Sequence, residues 1–232
     1  MQRLRKPAGA EAGIISFPPP LANGDRLSSE EFLRRYEAMP LLKKAELING
    51  IVFVGGPVNH DHGRRDGLTQ GWMGSYAAWT PGVEALSNTT LILDAANTLQ
   101  PDSCLRLLPE RGGKTGEDEK QLIVGAPELV VEIAANSASI DLHEKREIYE
   151  RFGTLEYLVW LVAEKQFLWL TLKGRKYIEQ KPDADGLLWS KTFPGLVLAV
   201  KPLLALKSAA VVAALQKGLN SPAHAAFLKA VK

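Results

Sequence analysis

One stretch constrains the fold more than any other part of the 232-residue chain. It reads PELVVEIAANSASIDLHEKREIYERFG and occupies residues 127–153. Its first half is an apolar run typical of a buried strand, and its second half has the period of an amphipathic helix. The only charge between Leu129 and Ala135 is Glu132. A carboxylate in such a strand must be paired, protonated or bound to a cation, because burying it alone is costly.

The helix predicted over residues 141–153 carries a lysine on its apolar side. At about 100° per residue, Leu142 and Tyr149 share one face, and Lys145 falls inside the same arc. A lysine in that position needs a partner or a route to water. Because a short loop joins the strand to this helix, Lys145 can approach Glu132. One interpretation is a buried Glu–Lys pair that fixes the helix against the sheet.

A second interpretation adds Asp102, which follows Gln100-Pro101 and precedes an apolar run. Proline is tolerated at the first position of a strand, so Asp102 is expected at a strand edge, where a neighbouring strand can share its carboxylate. A turn-capping aspartate is the alternative. Asp and Glu from adjacent strands, with a lysine nearby, form the set needed for metal-assisted phosphodiester cleavage. Mg²⁺ prefers hard oxygen ligands and polarises a phosphate oxygen.

Composition limits the classes of protein and the kinds of site that the chain can form. The net charge of +2 does not by itself indicate a nucleic-acid-binding protein, so a DNA-binding surface would be a local patch. The single cysteine, Cys104, excludes an intramolecular disulfide and a cysteine-based zinc site. No apolar run approaches the roughly 20 residues of a membrane span, and no signal peptide is evident. We therefore expect a cytoplasmic protein without a membrane partner.

The order of the patterned segments predicts a mixed α/β (α+β) domain, a sheet flanked by helices. Asn49-Gly50 between two apolar runs predicts a hairpin. Residues 58–79 predict a helix, and residues 83–93 predict one strand. The charged, glycine-rich residues 109–126 are expected to form an exposed loop. Further along the chain, two apolar segments predict an antiparallel pair, at residues 156–162 and 166–172.

The two ends of the chain differ from its middle. Residues 1–24, rich in Gly, Ala and Pro, are expected to form a flexible lead, and residues 25–205 the domain itself. Residues 206–232 are expected to form a helical extension, in a tail interrupted at Gly218 and Pro222. The open edge of the sheet and the apolar tail suggest a homodimer.

Five short motifs, in this order, resemble the Uma-two (Uma2) family of restriction-type endonucleases in the PD-(D/E)XK nuclease superfamily. They are ELING, a histidine that opens a helix, QPD, PELVVEI, and a helix with Asp, Lys-Arg and Tyr, at residues 46–50, 60, 100–102, 127–133 and 141–149. The resemblance covers residues 28–205. It implies a restriction-endonuclease-like fold, a mixed sheet flanked by helices, with a divalent-metal site at one sheet edge. It also implies an endonuclease that cuts DNA with Mg²⁺ (or Mn²⁺).

The resemblance also implies roles for particular residues. Asp102 and Glu132 would be metal ligands, and Lys145 the catalytic lysine. The superfamily usually places this lysine two residues after the acid, which is Ala134 here. The family moves it to the following helix, where Lys145 lies. The loop at residues 135–139 departs from the family pattern, because it lacks the proline of the usual Ser-Pro-Ser turn.

Four further residues are supporting candidates, each with a structural alternative. Glu46 would reach the metal site, or be an exposed strand residue. His60 would line the cleft, cap the helix or act as a ligand. Asp141 would cap the helix in a capping-box arrangement with Glu144, or orient the helix lysine. Tyr149 would belong to the site, although a tyrosine there is more typical of a core.

Other basic and aromatic residues have open assignments. Arg64-Arg65 and residues 173–176 either contact phosphate or lie in solvated turns. Trp160 and Trp169, on facing strands, either pack in the core or form a subunit interface.

Three functions are compatible with these residues. The first is a metal-dependent DNA endonuclease. The second is a catalytically silent protein that keeps the nuclease fold as a DNA-binding or oligomeric module. The third is an enzyme that acts on another phosphodiester, such as RNA or a small nucleotide. A silent relative is expected to have a broken site, whereas Asp102, Glu132 and Lys145 are all present.

Overall fold

The fold is that of a computed structural model, which describes residues 18–135 and 138–230, apart from the side chain of Ala138. Most of the predicted lead, residues 1–17, and part of the predicted loop, residues 136–137, lie outside the described residues. Within the described part of the lead, Leu21 is buried and the Gly24 N–H donates to the Val52 carbonyl.

The secondary structure alternates between helices and short strands. The first half of the described chain contains α1 (Ser29–Glu37), β1 (Ala45–Ile48), β2 (Ile51–Val54), α2 (His60–Ala78), β3 (Val83–Ser87), β4 (Leu91–Asp94), β5 (Asn97–Leu99), β6 (Ser103–Leu107), a 3-10 turn (Pro109–Arg111), β7 (Gly116–Glu117) and β8 (Ile123–Val124). The second half contains β9 (Leu129–Ala134), α3 (Ala138–Leu142), α4 (Glu144–Phe152), β10 (Glu156–Leu161), β11 (Gln166–Lys173), β12 (Lys176–Glu179), β13 (Leu187–Trp189), β14 (Val197–Ala199), α5 (Val200–Leu204), α6 (Ser208–Leu219) and α7 (Pro222–Lys229).

Two six-stranded sheets and a small two-stranded sheet organise these elements. The central sheet has the order β12-β11-β10-β9-β6-β3, and the second sheet has the order β2-β1-β5-β4-β8-β7. Both are mixed, since β9 pairs parallel with β10 and β4 pairs parallel with β8, whereas their other pairings are antiparallel. The predicted mixed α/β architecture with flanking helices is confirmed.

The parallel pair β9–β10 explains why the opening stretch is so apolar. Every residue of both strands is buried, as expected for parallel strands covered on both faces. Leu129, Val131 and Ile133 face the core cluster that contains the α2 side chains. Val130 and Ala134 face the cluster that contains the α4 side chains. By the alternation of a strand, Glu132 lies on the α4 side.

Several predicted elements are confirmed. The hairpin β1–β2 turns at Asn49 and Gly50, and both residues have positive φ, 50° and 76°, as a type I′ turn requires. Helix α2 and the antiparallel pair β10–β11 form as predicted. Trp160 and Trp169 are buried in the core, so the packing alternative is confirmed.

Other boundaries were wrong. Residues 83–93 form two strands in different sheets, because the chain turns at Asn88, where φ is 49°. Residues 109–126 are more than a loop, since β7 and β8 complete the second sheet. The helix predicted over 141–153 is divided into α3 and α4 at His143.

The C-terminal tail packs on its own domain. Val211 and Leu215 of α6 are buried in the core cluster beside α2. Gly218 lies inside α6 and does not interrupt the tail, whereas Pro222 begins α7. Val211 and Leu215 are therefore used within the chain, and a homodimer stays a prediction. No helix among the described residues is long and apolar enough to cross a membrane.

Candidate active site

Glu132 and Lys145 form a buried ion pair. The Lys145 Nζ atom lies 3.0 Å from Glu132 Oε1, and the two residues are 3% and 2% exposed. Helix α4 places the lysine here because its inward face also carries the buried Ile148 and Tyr149. The pairing expected from the strand and helix patterns is thus present in the structure.

Lys145 contacts two further carboxylates. Its Nζ atom is 2.8 Å from Glu46 Oε2 and 3.4 Å from Asp141 Oδ1. Burial alone disfavours the ammonium form, but Glu132, Glu46 and Asp141 together raise the pKa of Lys145 well above its usual value. Lys145 is therefore a fixed cation in this cleft.

Asp141 does not cap the helix that carries Lys145. It belongs to α3, and the residue that precedes α4 is His143, whose side chain makes no capping hydrogen bond. The capping-box interpretation was wrong, because the helix is broken at His143. Asp141 is instead placed where it can orient Lys145, four residues along the chain.

Asp102 lies beside Glu132 across two strands. Ser103 of β6 pairs with Val131 of β9 in antiparallel register, and one further step sets Asp102 opposite Glu132. The Asp102 Oδ2 atom accepts a hydrogen bond of 2.8 Å from the Ile133 N–H. The carboxylate is thus shared with a neighbouring strand, and the turn-capping alternative is not supported.

The other oxygen of Asp102 lies near two basic side chains. Lys44 Nζ is 2.9 Å and His62 Nε2 is 3.7 Å from Asp102 Oδ1. Burial favours the protonated acid, but His62, Lys44 and the Ile133 amide outweigh it and lower the pKa of Asp102 below its usual value. The proximity of Asp102 in turn raises the pKa of His62.

Glu46 is buried and not an exposed strand residue. It is 8% exposed, and its Oε1 atom accepts a hydrogen bond of 2.8 Å from the Gln100 N–H. Its other oxygen binds Lys145. Glu46 therefore joins the second sheet to the cluster.

His60 and Tyr149 do not join the cluster in the way considered from the sequence. His60 is exposed at the start of α2, and Asn59 is the residue that caps this helix. The histidine that lines the cleft is His62. Tyr149 is a core residue with its ring 5.1 Å from that of Tyr157.

Lys44 and His62 were not among the candidate site residues predicted from the sequence. A period-two pattern could have found Lys44, because Lys44, Glu46 and Ile48 alternate along one face of the β1 segment and all line the cleft. For His62 the sequence offers a weaker indication, namely Asp66 four residues later, which lines the same cleft.

These residues form the floor of a cleft of about 420 Å³. Ile48, Phe53 and Ile140 supply apolar walls. The exposed segment 55–58, between β2 and α2, lies at its rim. The site thus combines an open face with a buried polar floor, the usual form of a small-molecule or substrate site.

The charge balance of the floor fits a divalent cation. It holds two more carboxylates than lysines, namely Glu46, Asp102, Glu132 and Asp141 against Lys44 and Lys145. Burial raises the pKa of Glu132 well above its usual value, and Asp141 and Asp102 add to this rise. Carboxylate oxygens are the ligands that Mg²⁺ and Mn²⁺ prefer.

The carboxylates are not already gathered around one point. Among the residues that the structure describes, no three Asp, Glu, His or Cys side chains are grouped so that they could hold a metal ion. Lysine ammonium groups lie against the carboxylates instead. The donor set therefore suits a divalent cation in its chemistry, and binding would require a shift of these lysine contacts.

Comparisons with known proteins agree with the fold and the motifs. The sequence model of the Uma2 family, described as "Putative restriction endonuclease", matches residues 29–201. A crystal structure from Anabaena variabilis ATCC 29413, described as "a putative nuclease belonging to DUF820", has a TM-score of 0.62 at 16% identity, covering 77% of this chain and 98% of that one. No curated protein matches the chain. The family match extends over well above half of the sequence, so the chain belongs to the Uma2 family.

Proposed function

We propose that this protein is a metal-dependent endonuclease that hydrolyses phosphodiester bonds in DNA, with Mg²⁺ (or Mn²⁺) as its cofactor. The observation that carries the proposal is the convergence of Asp102, Glu132 and Lys145 in one cleft. These residues come from separate parts of the chain, and their charged groups are buried at a cost in free energy. Such buried charged groups are typical of functional sites. Membership in the Uma2 family supports the nuclease class.

Asp102 and Glu132 are the residues that would hold the cation. Both are buried carboxylates in a cluster with an excess of negative charge. When bound, the cation polarises a phosphate oxygen and offsets the charge that develops on it. The Ile133 amide holds one oxygen of Asp102, so the oxygen that now binds Lys44 is the one that would bind the metal.

Lys145 would stabilise negative charge on the phosphate during the reaction. Its ammonium group is fixed by Glu132, Glu46 and Asp141. A cation that is held in place beforehand needs no reorganisation when the transition state forms, which makes its electrostatic stabilisation effective. Glu46 and Asp141 act through Lys145 and are positioning residues.

DNA is the proposed partner. The net charge of +2 is small, so the phosphodiester backbone would be held by local groups and not by a general basic surface. Lys44 and His62 provide such groups in the cleft. At its rim, Gly56 has no neighbouring atoms within 4 Å of where a side chain would begin, which leaves room for a sugar–phosphate chain.

Plasmid cleavage tests this proposal. We expect the purified protein to nick or linearise supercoiled DNA with Mg²⁺ or Mn²⁺, and not with a chelator. Asp102→Asn and Lys145→Met should each lower the rate by about 100-fold or more, since the first removes a proposed metal ligand and the second removes the cation that stabilises charge on the phosphate. Asp185→Asn, at an exposed position, is the matched control and should cleave normally.

Two results would count against the proposal. One is a wild-type protein that, with either metal, leaves supercoiled, linear and single-stranded DNA intact. If it still binds DNA, the silent DNA-binding alternative is favoured. The other is a residual activity that is equal in the wild type and in Asp102→Asn, which would indicate a contaminating nuclease.

A further inference from the structure

A second lysine, Lys44, contacts a carboxylate of the cleft that Lys145 does not contact. Lys145 contacts Glu46, Glu132 and Asp141, whereas the Lys44 ammonium group lies 2.9 Å from Asp102. The oxygen that Lys44 binds is Oδ1, and the other oxygen is already engaged by the Ile133 N–H. Lys44 therefore lies against the oxygen of Asp102 that makes no backbone hydrogen bond.

The two lysines differ in their freedom to move. The side chain of Lys145 is 4% exposed, and that of Lys44 is 28% exposed. The backbone of Lys44 is fixed, because the Gly55 N–H donates to its carbonyl and a Cβ atom at Gly55 would lie only 3.1 Å from the Lys44 Cβ. A lysine with a fixed backbone and a partly exposed side chain can turn its ammonium group towards water, since long lysine side chains reach solvent easily.

Lys44 and a divalent cation cannot share this oxygen. A metal bound to Asp102 Oδ1 would stand within a few ångströms of the Lys44 ammonium group, and like charges at that separation repel strongly in a partly buried site. We propose that Lys44 occupies the cation position in the metal-free protein, and that its displacement from Asp102 sets the affinity and selectivity of the site for divalent ions. This inference rests on the proposed metal site and adds a residue that governs its loading.

Competition between Lys44 and a bound cation for Asp102 affects which ions the site selects. A monovalent ion replaces the Lys44 ammonium group without a gain in charge, whereas a divalent ion adds one charge to a cluster that has an excess of carboxylates. Competition by Lys44 thus favours divalent over monovalent cations. It also keeps Asp102 neutralised when no metal is present, which limits repulsion between Asp102 and Glu132.

Calorimetric titration of the full chain with Mn²⁺ tests the proposal. The variant Lys44→Met keeps the length of the stem and removes the charge. We expect it to bind Mn²⁺ at least about tenfold more tightly than the wild type, because the competing cation is gone. Lys43→Met is the matched control, since Lys43 carries the same charge at the adjacent, exposed position. It should leave the affinity unchanged.

The outcomes separate this inference from the proposed function. If the wild type binds Mn²⁺, Asp102→Asn does not, and Lys44→Met binds no more tightly than the wild type, the role of Lys44 is overturned and the metal site stands. If none of the proteins binds Mn²⁺, both the metal site and the role of Lys44 are overturned.

A measurement on the wild type covers the case in which Lys44→Met does not fold. Lysines are acetylated with acetic anhydride, with and without Mn²⁺, and the modified peptides are quantified by mass spectrometry. We expect Lys44 to become several-fold more reactive with Mn²⁺ as it leaves Asp102, while Lys43 stays constant. Unchanged or reduced reactivity of Lys44 at a Mn²⁺ concentration that saturates the site would contradict the displacement.

Discussion

The floor of the cleft holds more carboxylates than lysines. Glu132 is buried beside Asp102 and Asp141, and two lysines do not neutralise all the carboxylates. Burial, reinforced by these neighbours, raises the pKa of Glu132 well above its usual value. Such a site reduces the stability of the fold in favour of a function that needs the charge.

The burial of Glu132 among other carboxylates predicts that replacing it with glutamine stabilises the fold. The pKa of an unfolded glutamate is about 4.3. When the folded state raises the pKa of an acid, the contribution of that acid to the free energy of unfolding is fully present below the unfolded pKa. This contribution is lost as the pH rises through the folded pKa. Glu132→Gln avoids this loss of stability, because glutamine does not ionise. In a chelating buffer at pH 8, urea unfolding should show the variant to be more stable by about 1 kcal/mol, the usual size of a stabilising change.

The pH dependence provides the control for this prediction. The difference in unfolding free energy between Glu132→Gln and the wild type should shrink as the pH is lowered towards 4, because Glu132 is then protonated in both states. The same variant should lose DNA cleavage. A variant less stable than the wild type at pH 8 would show that the ion pair with Lys145 outweighs the burial of the carboxylate.

At the residue scale, the sequence predicts those contacts that depend on local periodicity. Glu132 and Lys145 are found because a strand pattern and a helix pattern each indicate an inward face, and a short connection brings the two faces together. Lys44 and His62 were missed because both meet Asp102, and that contact depends on how segments distant in the sequence pack together. His60 was chosen in place of His62 because the helix start alone does not fix which histidine faces the cleft.

At the scale of elements, two glycines allow α6 to pack closely on the domain. A Cβ atom at Gly218 of α6 would lie 2.1 Å from the Gly195 carbonyl oxygen, so a backbone contact fills the space that a side chain would need. By contrast, a Cβ atom at Gly71 of α2 would meet nothing within 4 Å. The same residue type thus has a packing role in one helix and none within the chain in the other.

Alanine substitutions should therefore have opposite effects. Gly218→Ala must push α6 from its neighbour, and overpacking of this kind costs about 1–3 kcal/mol or more. Gly71→Ala should stabilise the protein by about 0.5–1 kcal/mol, because alanine is the better helix former at an open position. Thermal unfolding of both variants measures the two effects. Equal effects of the two variants would contradict this account of α6 packing.

The errors in element prediction also have physical causes. The segment 83–93 looks like one strand because Asn88 is a less obvious break than glycine or proline, yet it adopts a positive φ and sends β3 and β4 to different sheets. The strands β7 and β8 are two residues each, too short for any periodicity to appear. The helix break at His143 was not predicted because Asp141 and Lys145, four residues apart, would share one face in a continuous helix as well.

At the scale of the whole molecule, the cleft requires both six-stranded sheets. Glu46 belongs to β1 of the second sheet, with Lys44 immediately before it, whereas Glu132 belongs to β9 of the central sheet. Lys145 comes from the helical crossover between β9 and β10. The site therefore exists only when the two sheets and the crossover pack together, so the proposed cation binding would be coupled to folding.

The central claim is that Asp102 and Glu132 share a divalent cation, and a Mn²⁺ soak of crystals tests it most directly. The account predicts an anomalous peak about 2.0–2.6 Å from carboxylate oxygens of both residues, the range of oxygen–metal distances for ions of this class, with Lys44 moved away from Asp102. A peak bound elsewhere, or no peak at a Mn²⁺ concentration that supports DNA cleavage in solution, would contradict it.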